Sequence, residues 1–458
     1  MFSKETYINR RAALKKTLAS GLALFLGNDE SGCNYAGNTY PYRQDSTFLY
    51  FFGQPYAGLA AVIDIDDDRE IIFGDELTMD DIIWMGTQPS LHEKCSSAGI
   101  GELMPSSAIM DYLKKAQQKS QQIHYLPSYR PEHKLKLWNW LNVHPGDERF
   151  SVDFVKAVVN MRNYKSAEEI AEIEKACLVT AGMHLAAMRT IRPGIHEYEV
   201  VAAIESAAGS HNCGLSFPII ATVNGQTLHN HYHGNLVKSG DLFLTDAGAE
   251  TEMGYAGDMS STTPADHKFT AGQRDIYRIQ TAMHDTSVAA LRPGITFEEI
   301  YDISAGVMIE GLKNLGLMRG DTDDALHEGA YALFYPHGLG HMMGLDVHDM
   351  ENLGEIYVGY DGRPKSKQFG RASLRLARML EPGFVHTIEP GIYFIPELID
   401  QWKSAKKFAD FINYDKVEAY KNFGGIRNEE DYLITETGAR LLGQRIPRTV
   451  EEVEAFQD

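Results

Sequence analysis

The sequence predicts a mixed α/β protein of two domains, a smaller one over residues 1–160 and a larger one over 161–458 that carries an internal repeat. Three observations lead there. A chain of 458 residues is too long for one ordinary domain. The N-terminal third mixes strand and helix signals without a recurring pattern. Beyond it, two segments each occur twice: "IRPGIHEYEVV" (191–201) returns as "LRPGITFEEIY" (291–301), and "SGDLFLTDAG" (239–248) as "PGFVHTIEPG" (382–391).

Taken in order, the elements follow from local patterns. "LASGLALFLG" (18–27) comes after Lys15 and Lys16 and has the look of a signal peptide. Its apolar core is short, no small-x-small cleavage site follows, and the acidic "NDESG" comes next, so it reads as a buried first strand. "LAAVIDID" (59–66) and "REIIFG" (69–74) form a hairpin around Asp66–Asp68. "SAIMDYLKKAQQK" (107–119) has apolar residues at helical spacing. A long helix is expected within 162–191, with Ser166 as N-cap and Glu169 completing a capping box. It must stop before Pro193–Gly194, and the domain boundary falls just before it.

Composition excludes some partners. Lys and Arg number 43 against 63 Asp and Glu, a net charge of −20 that argues against nucleic acid or an anionic membrane. No stretch approaches the roughly 20 apolar residues of a membrane span. Cys33, Cys95, Cys177 and Cys213 are widely spaced with no CxxC, as expected of reduced core residues in a cytosolic protein.

The repeat carries chemistry. In each copy a glycine precedes a β-prone run with an acid six residues on, Gly240 to Asp246 and Gly383 to Glu389. A duplicated unit would set these carboxylates around a pseudo-twofold axis. Two further acidic places follow glycine-rich turns: Asp258 in "GYAGDMSSTTP" (254–264), and Glu429 with Glu430 in "GGIRNEEDYLIT" (424–435). One such acid alone is usually a solvated loop charge. Together they suggest charge in β-prone runs, which is costly unless paired or bound to metal.

"HGLGHMMGLDVHD" (337–349) adds His337, His341 and His348. The first two are four apart, as in zinc-protease helices, but the Glu of that motif is missing. Gly338, Gly340 and Gly344 would each cost roughly 1 kcal/mol inside a helix. The histidines therefore belong on irregular or extended backbone, and any further ligands must come from elsewhere. One histidine with four carboxylates is a hard set that suits Mn²⁺ better than structural zinc. Two such metals roughly 3.5–4 Å apart would activate a water and clamp a tetrahedral intermediate.

These motifs resemble the pita-bread metallopeptidases, family M24, in the proline-specific branch of prolidase and aminopeptidase P. The resemblance spans nearly the whole chain, from "YPYRQDSTFLYFFG" (40–53) in an aminopeptidase P-like N-terminal domain to "IPRTVEEVEAFQ" (446–457). It implies a pita-bread catalytic domain with Asp246, Asp258, His341, Glu389 and Glu429 as metal ligands, Asp258 and Glu429 bridging two divalent ions, Mn²⁺ first and Co²⁺ or Zn²⁺ as alternatives. It implies Glu389 as general base, His229 and His348 as catalytic histidines, His337 in the proline pocket and Arg427 orienting the carboxylates. His231 and His233 compete with His229, since Asn230 stands where the family often has an aromatic residue. "SLRLARMLEPG" (373–383) resembles the prolidase segment whose arginine binds a dipeptide's carboxylate, which makes Arg375 the clamp; the segment 394–424 is also prolidase-like. The function implied is an Xaa-Pro dipeptidase, a cytoplasmic homodimer acting on small peptides with proline second. Its rivals are an Xaa-Pro aminopeptidase, a metal-free relative such as the creatine hydrolases, which should lack these ligands, and a non-catalytic binding module.

Overall fold

In the computed structural model, which describes residues 1–147 and 149–456, the chain divides into two units. Met1–Arg162 and Met350–Tyr357 form the first, Asn163–Asp349 and Val358–Asp458 the second. Gln457, the last residue of the tail motif, lies outside the described residues.

The first unit is framed by a mixed five-stranded sheet in the order Glu102–Met104, Arg69–Phe73, Ala60–Asp64, Leu22–Leu26, Ile123–His124. The apolar stretch after Lys15–Lys16 splits at Ala19, whose left-handed φ of 65° ends helix Lys4–Leu18. Leu22–Leu26 then forms the buried strand that the sequence implies. Ala60–Asp64 and Arg69–Phe73 pair antiparallel as the expected hairpin. Phe25 meets Phe51, Phe52 and Phe154 at ring-centroid distances of 5.0–5.2 Å, contacts worth about 0.5–1.5 kcal/mol each beyond burial. The expected helix at 107–119 is a short 3₁₀ turn, Ser106–Ala108, leading into helix Ile109–Gln118.

All four cysteines are free, but only Cys95 and Cys177 are core residues. Cys33 is exposed because its strand, Gly32–Tyr35, belongs to a two-stranded ribbon that lies open to solvent. Cys213 is partly exposed.

The second unit starts with helix Ala167–Thr190. Its N-terminus carries the capping box: Ser166 Oγ accepts from the Glu169 N–H at 3.3 Å, and Glu169 Oε2 accepts from the Ser166 N–H at 3.0 Å. A second long helix, Ala271–Ala290, ends the same way before its own Arg-Pro-Gly. From there the repeat is visible bond by bond. Gly194 N–H donates to Val237 O at 2.9 Å and Gly294 N–H to Leu380 O at 3.0 Å. Val237 donates back to Ile195 O, and Leu380 to Ile295 O, both at 2.8 Å. Arg192 and Arg292 each donate to a carbonyl two residues earlier, those of Thr190 and Ala290. Three residues past Val237 and Leu380 stand Gly240 and Gly383, both at a left-handed φ near 90° that a side chain would disfavour. Each opens a buried strand, Leu242–Ala247 or Val385–Ile388, that delivers its acid at or just past its C-terminal end.

These strands lie in two three-stranded sheets, Met259–Pro264 / Leu242–Ala247 / Ile220–Thr222 and Val385–Ile388 / Glu430–Ile434 / Ala439–Leu441. The sheets meet where Glu429 N–H donates to Ser260 O at 2.9 Å. Among the described residues, no helix is long and apolar enough to cross a membrane.

Ser166→Ala should lower the unfolding free energy of the second unit by about 1 kcal/mol. Chemical denaturation followed through a probe in that unit checks this; an unchanged midpoint would mean the capping box adds nothing.

Candidate metal centre

Four acids and a histidine converge where the two sheets join. Asp246 is the penultimate residue of its strand and pairs in register with Ser260, two residues past Asp258. Glu389 directly follows the equivalent strand of the other half, and Glu429 immediately precedes strand Glu430–Ile434. Ligand atoms of Asp258, His341 and Glu429 all lie within 4.8 Å of one another, and all three residues are buried. Asp246 is 7% exposed. Glu389 is the most open of the acids, its side chain 17% exposed beside an otherwise sealed set.

Adjacent acids on a strand point to opposite faces, which separates Glu429 from Glu430. Glu429 Oε2 accepts from Ser260 Oγ at 2.8 Å inside the cluster. Glu430 instead accepts from Tyr432 OH at 2.7 Å and faces His284 Nε2 at 3.5 Å and Arg448 Nε at 3.6 Å.

The segment with three histidines is irregular, as its glycines imply. It runs against strand Val385–Ile388 through ladder-like bonds: Glu389 N–H to Leu339 O, Thr387 N–H to His341 O and Met343 N–H to Val385 O, at 2.8–3.0 Å. A methyl group on Gly340 would come within 2.2 Å of Thr387 O, so only glycine permits this approach. The result sets His341 Nε2 at 3.3 Å from Asp258 Oδ2 and 3.8 Å from Glu389 Oε1. Its Nδ1 lies 3.1 Å from Met342 O. A carbonyl can only accept, so the proton sits on Nδ1 and the Nε2 lone pair faces the acids. Burial and the nearby His348 and Arg375 hold this imidazole well below its ordinary pKa, hence neutral.

His348 packs edge-on against His341, centroids 4.2 Å apart. His337 sits beyond Glu389, its Nδ1 3.6 Å from Glu389 Oε2. Arg427 fans out over three partners: Nη2 to Asp246 Oδ2 at 2.6 Å, Nε to Ser260 Oγ at 2.9 Å and Nη1 to Tyr393 OH at 2.8 Å. Since the guanidinium can only donate, Tyr393 must pass its own proton to His337 Nε2, 2.8 Å away. That fixes His337 as the Nδ1–H form, facing Gly338 O at 2.7 Å. Burial first, then the Arg427 charge, depresses its pKa to about 3.

His229 is tied to this group electrostatically: burial and the charges of Arg427, Arg375 and His348 lower its pKa, while Asp246 works the other way. His233 Nε2 is engaged by Ile219 O at 3.1 Å. The charge of Arg375 acts on His229, His337, His341 and Glu389 alike.

Ser260, Thr387 and Tyr393 are missing from the sequence reading. A serine or threonine in a strand carries no signal of its own. Tyr393 had one: a tyrosine in a fully apolar-looking run, "GIYF", needs a partner for its hydroxyl once buried.

Two observations test whether the residues suit cations. Asp246 Oδ1 and Asp258 Oδ1 are buried without any hydrogen-bond donor, a costly state for a carboxylate. Burial and then repulsion from neighbouring acids push Asp258 and Glu429 well above their ordinary pKa values. Burial raises Glu389 to about 7 against the opposing pull of Arg427 and Arg375. Oxygen-rich donors, one neutral imidazole nitrogen and uncompensated negative charge fit divalent cations.

The chain matches the model of metallopeptidase family M24 over residues 171–436, more than half its length. The chain belongs to this family. Residues 7–124 match the aminopeptidase P N-terminal domain. Among M24 relatives, an Xaa-Pro aminopeptidase of Escherichia coli is 31% identical over 99% of this chain and 98% of its own. An Xaa-Pro dipeptidase of Rattus norvegicus is also 31% identical, over 95% of this chain and 89% of its own. The solved structure of zinc-substituted E. coli aminopeptidase P in complex with product superposes with a TM-score of 0.80 at 30% identity, covering 100% of this chain and 98% of that one. Pseudomonas aeruginosa aminopeptidase PepP gives 0.82 at 27%, with the same coverage. An M24 fold with a site for divalent metal ions is therefore what this sequence encodes.

Stripped of metal, the protein should lose stability as pH rises through 7. Glu389 has a folded pKa above its unfolded one, so its contribution is present at low pH and vanishes as it ionises. The expected result is a lower thermal midpoint at pH 8 than at pH 6 after chelation, with the gap closed by added Mn²⁺. Equal midpoints in the stripped protein would show that the cluster is not electrostatically strained.

Proposed function

We propose that this protein is a dinuclear metallopeptidase that cleaves the Xaa-Pro bond, with the free carboxylate of a dipeptide as its preferred far end. The observation that carries the reading is the convergence of Asp258, His341 and Glu429 within ligand distance of one another, beside Asp246 and Glu389. Those five residues would hold two divalent ions, Mn²⁺ in the first instance, with Asp258 and Glu429 as ligands common to both. Such ions lower the pKa of water and polarise a scissile carbonyl.

The chain supplies the rest. Glu389, the most solvent-open acid, takes the proton from the attacking water and passes it toward the leaving proline nitrogen. His348 and His229 donate toward the oxygen on which charge develops. His337, locked in one tautomer, lines the proline pocket. Arg427 holds Asp246 through a charge-assisted bond and so keeps it oriented. Proline has a fixed φ and no N–H, so a rigid pocket that offers no acceptor there favours it. Arg375 receives the dipeptide carboxylate, for which a planar guanidinium is suited. A cytoplasmic homodimer completes the proposal, and light scattering tests the assembly.

A second reading has its own support. The E. coli Xaa-Pro aminopeptidase matches end to end, and the solved structures above are aminopeptidases P. On that reading the far end stays open to longer peptides.

Hydrolysis of Ala-Pro and Ala-Pro-Ala in Mn²⁺ separates the two. The dipeptidase reading expects cleavage of Ala-Pro alone, and Arg375→Ala should raise its KM about tenfold or more. Preference for the tripeptide would replace it with the aminopeptidase, and cleavage of neither would favour a binding module. Glu389→Gln should lower kcat by about 10²-fold or more with the circular dichroism unchanged; near-normal turnover would remove Glu389 as the base.

A further inference from the structure

Behind the cluster lies a carboxylate that none of the chemistry above uses. Asp431 is wholly buried. Its Oδ2 accepts from the backbone N–H of Asp258 at 3.1 Å and from the Cys177 thiol at 3.0 Å. Its Oδ1 has no donor. A buried acid held by one amide and one weak thiol donor is poorly compensated, so in stability alone this position would favour an apolar residue.

Its place across the join of the two sheets explains what the acid does. Ser260 bridges to Glu429 there, and Ser260 and Asp431 each stand two residues beyond one of the acids, Asp258 and Glu429. Ser260 O accepts the Glu429 N–H, and Ser260 Oγ donates to Glu429 Oε2. In the reverse direction the Asp258 N–H goes to the Asp431 side chain, while the Asp431 carbonyl is taken by Leu442 N–H at 2.9 Å. Each of the two acids is thus held by the residue two places beyond the other. We propose that Asp431, oriented by the Cys177 thiol, is a positioning residue that fixes Asp258 from behind for metal binding. It touches neither metal nor substrate and acts only through the Asp258 backbone. The inference rests on the metal-site reading above.

Isothermal titration of chelator-stripped protein with Mn²⁺ tests it, together with the thermal midpoint of the stripped forms. Asp431→Ala should weaken Mn²⁺ binding by about 10–100-fold, the range for losing a partner behind a ligand. Asp431→Asn keeps an acceptor for the Asp258 N–H and should recover most of that loss. Wild-type affinity within about threefold in folded Asp431→Ala, or an Asp431→Asn no better than the alanine variant, overturns the proposal. If Asp431→Ala does not fold, Cys177 decides. Cys177→Ala should bind Mn²⁺ several-fold more weakly and Cys177→Ser should restore it, whereas wild-type affinity in Cys177→Ala overturns the proposal. If the wild-type protein itself takes up no Mn²⁺, the metal-site reading fails first and this inference with it. The midpoints separate the two kinds of loss: a purely structural role would lower them without the rescue pattern in Mn²⁺ affinity.

Discussion

Everything around the centre answers to one constraint: four carboxylates share a nearly dry space, and the Arg427 guanidinium beside them bonds to one of the four. Like charges in a low dielectric repel strongly, and of these acids Arg427 bonds to Asp246, its other partners being the neutral Ser260 and Tyr393. The fold tolerates this because each acid is anchored by backbone that does not depend on the charge state. Register pairing sets Asp246 opposite Ser260, and the Glu429 N–H is tied to Ser260 O. The geometry is preorganised, and the unfavourable electrostatics are left for cations to relieve.

The neutral histidines follow from the same crowding. His341 and His337 both have depressed pKa values through burial and nearby positive charge. Each has one ring nitrogen committed to a backbone carbonyl. A protonated imidazole would ease the repulsion among the acids but would lose its lone pair. Burial and nearby positive charge decide in favour of the neutral form against the pull of those carbonyls, while the carbonyls and the Tyr393 hydroxyl choose the tautomer.

Much of this could be read from sequence because it was written in glycines, prolines and repeated segments. Ser166 and Glu169 announce a helix start by spacing alone. Gly338, Gly340 and Gly344 exclude the helical zinc motif, and the close approach of Gly340 to Thr387 explains them. The acids at Asp246 and Glu389 could be seen as a pair because both follow a glycine by the same interval. What the residue pattern could not separate, and only the resemblance told apart, were Glu429 and Glu430, since adjacent acids differ only in the face they present. Ser260 and Asp431 were equally illegible, because their roles come from partners far along the chain, and Tyr393 signalled only that its hydroxyl needs a partner. Cys33 shows the limit of composition: a cysteine reads as core, but nothing local reveals that its ribbon lies open to solvent.

The two halves of the second unit are not equal in length. Val237 follows Gly194 far more closely than Leu380 follows Gly294, although the bonds they make are the same. Leu339 and His341 nonetheless bond to Glu389 and Thr387 as Ile220 and Thr222 pair with Asp246 and Leu244 in the first half. The four acids and the strand position of His341 therefore come from a scaffold that occurs twice, while the added length occurs once. Symmetry provides a place for charge, and its local breaking provides direction, a near side and a far side for an unsymmetrical molecule. Exchanging that added length between related chains should carry selectivity with it and leave the acid scaffold where it is.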